Sequence, residues 1–241
     1  MKSAIKAKLD NSWFFPRYIG VVYIEPDMRR SSTYAKGTLL DIGCGMRKYE
    51  PIFLPNVSKY IGLDWPQFDD RSRQDITGDA LHLPIRSGSI DTVLATELME
   101  HLPSPEVFLA EVARVMCNGG TLILSVPFME PLHEEPRDFF RFTPYSLQLL
   151  LNKNGFTIRQ LWSRGGWWSV VLGSFVNQVL FDWASPLDEA GKRRYGIMTF
   201  FTVPFCAFIQ WLAYQLDRVF ASHKYTLGYT VVAEREIRSN D

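Results

Sequence analysis

The sequence predicts an open, doubly wound α/β sheet with an apolar helical insertion before its last strand. Two observations carry the sheet and a third carries the insertion. The run Leu39-Leu40-Asp41-Ile42-Gly43-Cys44-Gly45 takes apolar residues into a glycine pair. That is the pattern of a buried strand ending in a tight turn, where a ligand can approach bare backbone. Tyr60-Ile61-Gly62-Leu63-Asp64 reads as a second short strand ending in a carboxylate, an acceptor suited to the paired hydroxyls of a ribose. Residues 165–181 and 195–216 are two uncharged runs separated by the polar link Asp188-Glu189-Ala190-Gly191-Lys192-Arg193-Arg194. The two strands together imply a nucleoside-containing cofactor.

The loop after the first strand narrows the choice. A dinucleotide fingerprint needs Gly-x-Gly-x-x-Gly, its third glycine letting a helix N-terminus approach a pyrophosphate. Lys48 stands at that position, which argues against a dinucleotide. Asp41 is poorly suited to a phosphate but suits a cationic amino group, directly or through water. The run Asp-Ile-Gly-Cys-Gly resembles motif I of class I S-adenosylmethionine-dependent methyltransferases of the type 11-like group. Met46 and Arg47 stand where that motif usually has one more glycine. The resemblance implies a Rossmann-like seven-stranded sheet and S-adenosyl-L-methionine as cofactor.

Further motifs follow in the family's order over residues 38–160. Gly78-Asp79-Ala80-Leu81-His82-Leu83-Pro84 is similar to the family's third-strand end. The resemblance implies that Asp79 accepts from the adenine amino group and that Ala80 and its neighbours meet the ring edge. Ser87 to Ala95 reads as a turn and a fourth buried strand, and Thr96-Glu97-Leu98-Met99-Glu100-His101-Leu102 resembles the segment lying over the cofactor. An amphipathic helix is expected over Glu106 to Met116, ended by Asn118-Gly119-Gly120 and followed by a strand from Thr121 to Val126. The cofactor-binding set is then Asp41, Gly43, Cys44, Gly45, Asp64, Asp79, Ala80 and Thr96. Taken singly, each piece has an ordinary reading: a Gly-x-Gly turn, Asp64 as a helix cap, Asp79 closing a turn.

The segment from Pro127 to Thr143 leaves the carboxyl end of the fifth strand, where open α/β sheets bind ligands. It offers a histidine, carboxylates, arginines and aromatics, a mixture suited to a polar acceptor such as a sugar. The spacing His133-x-x-Pro136-x-Asp138-x-x-Arg141 resembles methyltransferases of cell-surface polysaccharide and lipid-linked glycan pathways. His133 is the first candidate base and His101 the second, each able to take a proton from an oxygen acceptor. His101 could instead satisfy local backbone. Asp138 and Arg141 are candidate acceptor-orienting groups, or a pair at i,i+3 that stiffens the loop. Thr143 is expected to cap a helix through Asn152, before Gly155-Phe156 and another strand.

Composition agrees with one main domain. The 241 residues are 46% hydrophobic with formal net charge zero, so no global basic field exists to hold nucleic acid. Cys44, Cys117 and Cys206 show neither metal-ligand spacing nor a disulfide framework; no metal set is read. No signal peptide is visible, which leaves the cytoplasm as the expected compartment, with a peripheral place on the inner face of the cell membrane open.

The expected organisation is an N-terminal helical segment over 1–36, a methyltransferase core over 37–164 and 226–235, and an apolar helical insertion over 165–225. In the second apolar run Thr199, Thr202, Cys206, Gln210, Ala213 and Asp217 recur at helical spacing, a narrow polar stripe against a broad apolar face. That run has the length to span a bilayer of ~30 Å. A single crossing would strand the last sheet strand, Tyr229 to Ala233, on the far side. A hairpin, an interfacial platform, a homodimer surface or a buried helical layer avoids this, and Pro204 should kink the helix. Trp13-Phe14-Phe15 and Tyr18 to Ile24 suggest a helix over the cofactor site or against the apolar surface. The function expected is methylation of a small or lipid-linked glycan-type acceptor. The alternatives are a lipid or quinone-like acceptor, or a non-catalytic cofactor-binding, membrane-docking protein.

Overall fold

The computed structural model describes residues 18–65, 73–176, 180, 183, 197–220 and 224–237. Two short helices, α1 (Tyr18–Val22) and α2 (Ile24–Ser31), precede strand β1 (Thr38–Ile42). One helical turn, α3 (Glu50–Phe53), leads to β2 (Lys59–Asp64), β3 (Ile76–Thr77) and β4 (Ile90–Thr96). Then come α4 (Pro105–Val115), β5 (Met116–Pro127), α5 (Pro144–Lys153), β6 (Phe156–Arg164), α6 (Trp167–Ser174), α7 (Ile197–Val219) and β7 (Gly228–Arg235). The chain divides into a sheet unit (Glu25–Phe128, Leu132–Trp162, Gly228–Asp241) and a helical unit (Met1–Ile24, Met129–Pro131, Ser163–Leu227). The expected aromatic run Trp13-Phe14-Phe15 and the link Asp188 to Arg194 lie outside the described residues.

The seven strands are ordered β3-β2-β1-β4-β5-β7-β6. The pairs β3–β2, β2–β1, β1–β4 and β4–β5 are parallel, and β7 runs antiparallel to β5. Covered on both faces, the central strands bury Leu39, Leu40, Ile42, Val93, Leu94, Leu122, Ile123 and Leu124 completely. That is why they read as continuous apolar runs rather than alternating ones. The chain leaves β1 in one direction for β2 and reaches β4 on the other side, so the switch point lies beyond the carboxyl ends of β1 and β4.

Local chemistry explains the flanking helices. Pro105 opens α4 at a position that needs no amide hydrogen, and Phe108, Leu109, Val112 and Val115 form its buried face. Thr143 caps α5 as expected: its Oγ1 accepts from the Ser146 amide at 3.1 Å, and the Ser146 hydroxyl accepts from the Thr143 amide at 2.9 Å.

One local expectation is corrected. Helix α4 ends at Val115, and Asn118-Gly119-Gly120 belongs to β5 rather than to a helix cap. Gly119 sits at φ 71°, and the β4–β5 register shifts between Ile90 and Thr92, so the glycines absorb an irregularity in the ladder. After the glycine loop the chain makes only α3 and a 3-10 turn, because Pro51 and Pro55 punctuate the segment.

In the helical unit, α7 turns its polar stripe inward. Gln210 is fully buried and accepts from the Ile19 amide at 2.9 Å. Asp217 accepts from the amides of Gly166, Trp168 and Ser169 at 2.9–3.0 Å, capping the start of α6 from outside that helix, and from the Tyr23 hydroxyl at 3.3 Å. Burial among these groups and beside Asp217 pushes the Tyr23 hydroxyl pKa well above its ordinary value. The aromatic side chains Phe200, Phe201, Phe205, Phe208 and Trp211 stay exposed, Phe200 at 74%. The helix runs through Pro204. Among the described residues no helix is long and apolar enough to cross a membrane. The run 195–216 has the length for a bilayer span, but over its described residues Gln210 and Gln215 interrupt its apolar character.

Candidate cofactor and acceptor site

The loop after β1 shows why its glycines are needed. Gly43 lies at φ 73° and Gly45 at φ 47°, backbone that residues with a Cβ rarely adopt. A Cβ at Gly43 would stand 3.1 Å from Leu98, so the segment after β4 closes directly on the loop. At Gly45 a Cβ would meet nothing within 4 Å, which leaves an open cradle of bare backbone. The Gly43 amide donates to Leu63 O at 2.8 Å, and Gly45 O accepts from the Arg73 amide at 2.9 Å, fixing the loop against the end of β2. Where the related motif has another glycine, Arg47 itself takes φ 55°. Its guanidinium pairs with Asp75 and lies 3.4 Å from Glu50, interactions that hold a left-handed arginine in place.

Asp64, at the end of β2, accepts from the Gly45 amide at 2.9 Å and from the Trp65 amide at 2.8 Å, linking the end of β2 to the loop. Asp79 accepts from the Leu81 amide at 2.8 Å, and Ala80 is buried beside it. Cys44 is buried in the loop, and Thr96 ends β4. Asp41 lies beneath the loop, 3% exposed, with Oδ2 accepting from the Tyr60 hydroxyl at 2.5 Å. Burial raises its pKa from the ordinary 3.8 to about 7, with Asp64 adding repulsion and Tyr60 offsetting part. Its second oxygen, Oδ1, is buried with no hydrogen-bond partner among the described residues. An open glycine cradle, a carboxylate at the end of β2 and a second carboxylate oxygen beneath the loop fit a ligand with a hydroxyl pair and a cationic group.

Beyond β4 a second polar centre forms. The 3-10 turn Met99–His101 buries Glu100 fully and presents His101. His101 Nδ1 meets Arg137 O at 2.8 Å, and because a carbonyl only accepts, this nitrogen is the donor. Its Nε2 stands 3.6 Å from Glu100 Oε1 and 3.8 Å from Glu134 Oε2. His133 Nε2 stands 3.9 Å from the same Glu100 oxygen, and the two imidazoles meet edge to face with centroids 4.9 Å apart.

Asp138 organises the loop behind His133. It accepts from the His133 amide at 2.9 Å, faces His133 Nδ1 at 3.4 Å, and takes both Arg141 amino nitrogens at 2.5 and 2.7 Å. The Arg141 guanidinium holds the Asp138 carboxyl down at about 2. The Phe139 amide donates to Glu100 O at 2.9 Å, joining this loop to the 3-10 turn.

Both candidate bases are thus brought together, and Asp138 and Arg141 stand behind one of them. Sequence reasoning missed Glu100, Tyr60 and the Arg47–Asp75 pair. Glu100 carried one signal, a charged residue beside a histidine in a segment that must turn over the loop. Tyr60 looked like an ordinary strand residue. Glu97 was missed as well; it takes φ 49° and accepts from the Ser125 hydroxyl at 2.8 Å.

Comparison with known proteins gives the family of the segment that carries the glycine loop. Residues 40–124 match the family model described as methyltransferase domain. Ajmaline N-methyltransferase of Rauvolfia serpentina is 32% identical over 100 residues, covering 36% of this chain and 34% of that protein. A probable S-adenosylmethionine-dependent methyltransferase of Mycolicibacterium smegmatis is 30% identical over 125 residues, 49% of this chain and 46% of that protein. The chain thus spans between a third and a half of the length of these relatives. A Haloferax volcanii methyltransferase solved in complex with the activator Trm112 shares the fold, with TM-score 0.59, 16% identity and coverage of 98% and 94% of the two chains. A Mesorhizobium loti S-adenosylmethionine-dependent methyltransferase superposes with TM-score 0.55 at 14% identity, over 94% and 100%. The matched segment is a class I methyltransferase domain, and the cofactor of that class is S-adenosylmethionine.

Proposed function

We propose that this chain is a working methyltransferase acting on an oxygen of a small or lipid-linked glycan-type acceptor. The observation that carries it is the convergence of His101, His133 and Glu100 just past Leu98, the residue that closes on Gly43 of the cofactor loop. S-adenosylmethionine, held by Gly43, Cys44, Gly45, Asp64, Asp79, Ala80 and Thr96, supplies an electrophilic methyl group. The chain's remaining task is to orient the acceptor and take its proton. Asp41 favours the cofactor's cationic amino group by charge.

In a metal-free reaction His133 is the base, with His101 behind it. Asp138 positions His133, and Arg141 presents charge to the acceptor. Exposed Phe139 and Phe140, next to Arg137 and Arg141, offer apolar faces and donors of the kind that bind sugars. The outward aromatic face of α7 suits a membrane surface, where a lipid-linked acceptor resides, or a second copy of the chain. The same face favours a lipid or quinone-like acceptor as the second reading.

Calorimetric titration with S-adenosylmethionine, with Asp64→Ala and Asp79→Ala as controls, tests the cofactor assignment. Micromolar binding weakened at least about tenfold in each variant is expected from losing a hydrogen bond to a charged group. A folded wild type that fails to bind refutes the proposal. Binding without transfer of labelled methyl to nucleotide-linked sugars, lipid-linked sugars or quinones would identify a non-catalytic protein instead.

A further inference from the structure

Two imidazoles and a buried carboxylate come together in this site. One ligand atom from each of Glu100, His101 and His133 lies within 4.8 Å of the other two, and the Nε2 atoms of His101 and His133 stand 3.6 and 3.9 Å from one Glu100 oxygen. The far nitrogens are already committed: His101 Nδ1 donates to Arg137 O at 2.8 Å, and His133 Nδ1 faces Asp138 at 3.4 Å. In a neutral imidazole, a proton on Nδ1 leaves Nε2 as an acceptor with a lone pair. His101 Nε2 is then such an acceptor, 3.6 Å from an oxygen of a carboxylate that is 0% exposed, and His133 Nε2 stands 3.9 Å from the same oxygen.

We propose that Glu100, His101 and His133 form a binding site for one divalent first-row transition-metal ion. Two nitrogens and one carboxylate are the donor set that zinc, iron(II), manganese and cobalt share. Two ligands each about 2.1 Å from a tetrahedral metal stand about 3.4 Å apart. The observed separations of 3.6 and 3.9 Å close on such an ion with movements of a few tenths of an ångström. The hydrogen bond at His101 Nδ1 and the Asp138 carboxylate beside His133 Nδ1 are the kind of outer-shell contacts that fix ring orientation at metal-bound histidines.

Glu134 Oε2 lies 3.8 Å from His101 Nε2 but outside the three-residue group, which leaves the ion's fourth position exchangeable. With the ion bound, the imidazoles are ligands and not bases. An open position then holds the acceptor's oxygen, a role that rests on the methyl-transfer reading, whereas cation binding does not. The sequence concealed the set because Glu100-His101 and His133 are separated by a helix and a strand.

The test is titration of the metal-stripped full chain with Zn2+ by calorimetry and with Co2+ by visible absorption, alongside S-adenosylmethionine binding. Expected is one ion per chain, weakened at least about tenfold in His101→Ala, His133→Ala and Glu100→Gln, the scale of losing even an outer-shell partner. His82→Ala, a change of a histidine outside the cluster, should bind the ion as wild type does. Variants that retain their circular dichroism and cofactor binding exclude misfolding as the cause. No stoichiometric ion in the wild type, or wild-type affinity in both cluster histidine variants, overturns the proposal even if cofactor binds. Ion binding lost in the variants upholds the site, even if S-adenosylmethionine fails to bind and the methyltransferase reading falls.

Discussion

Replacing Asp41 by asparagine should make the protein more stable above neutral pH and flatten its pH dependence. Burial raises the Asp41 pKa from 3.8 to about 7. Below the lower value folded and unfolded chains both carry the proton. Between the two values the folded chain keeps a proton that the unfolded chain has lost, so stability falls as pH rises. Each pKa unit is worth about 1.4 kcal/mol, and a rise of about three units removes about 4 kcal/mol by the time pH passes 7.

An asparagine side chain carries no charge and can still accept from the Tyr60 hydroxyl. The Asp41→Asn variant therefore keeps the geometry of the 2.5 Å contact without the titration. Chemical denaturation of both proteins from about pH 4 to about pH 8 reads the difference as a widening gap in favour of the variant. Parallel profiles would show that the carboxylate is solvated or neutralised in a way the burial argument omits.

Cofactor binding gives the same residue a second signature. A cationic amino group near Asp41 favours its charged form, so binding near pH 6 should release a proton. Calorimetry in buffers of different ionisation enthalpy would show that release in the wild type and its absence in Asp41→Asn. Gly45→Ala places a Cβ in the open cradle and forces alanine to φ 47°, about 1–2 kcal/mol of strain; cofactor affinity should drop while circular dichroism is retained. Asp217→Ala strips three amides at the start of α6 of their acceptor, a cost of about 2–3 kcal/mol. Faster amide exchange at Gly166, Trp168 and Ser169, with the strand amides of β1 and β4 unchanged, is the expected result. Phe201→Ser with Phe205→Ser should abolish flotation with anionic vesicles if the α7 face meets lipid, and leave it unchanged if it does not.

Much of this protein is written in local patterns. Continuous apolar runs define β1 and β4 because a parallel strand buries both faces, and Gly43 and Gly45 mark the loop because only glycine takes that backbone cheaply. The polar stripe of α7 was equally visible, since helical periodicity is a property of the sequence itself. Its direction was not. Only packing revealed that Gln210 and Asp217 face inward to satisfy amides of α1 and α6, leaving the phenylalanines outside.

The Asp41–Tyr60 bond depends on the register of β1 against β2, which no window around either residue contains. The meeting of Glu100 and His101 with His133 depends on where the loop before α5 returns over the end of β4. By itself the sequence determined the strands, the glycine loop and the candidate histidines, because backbone geometry and hydrophobic periodicity act over a few neighbouring residues. Tertiary structure alone decided which charges are buried and which side chains converge, because those outcomes arise from contacts between segments far apart in the chain.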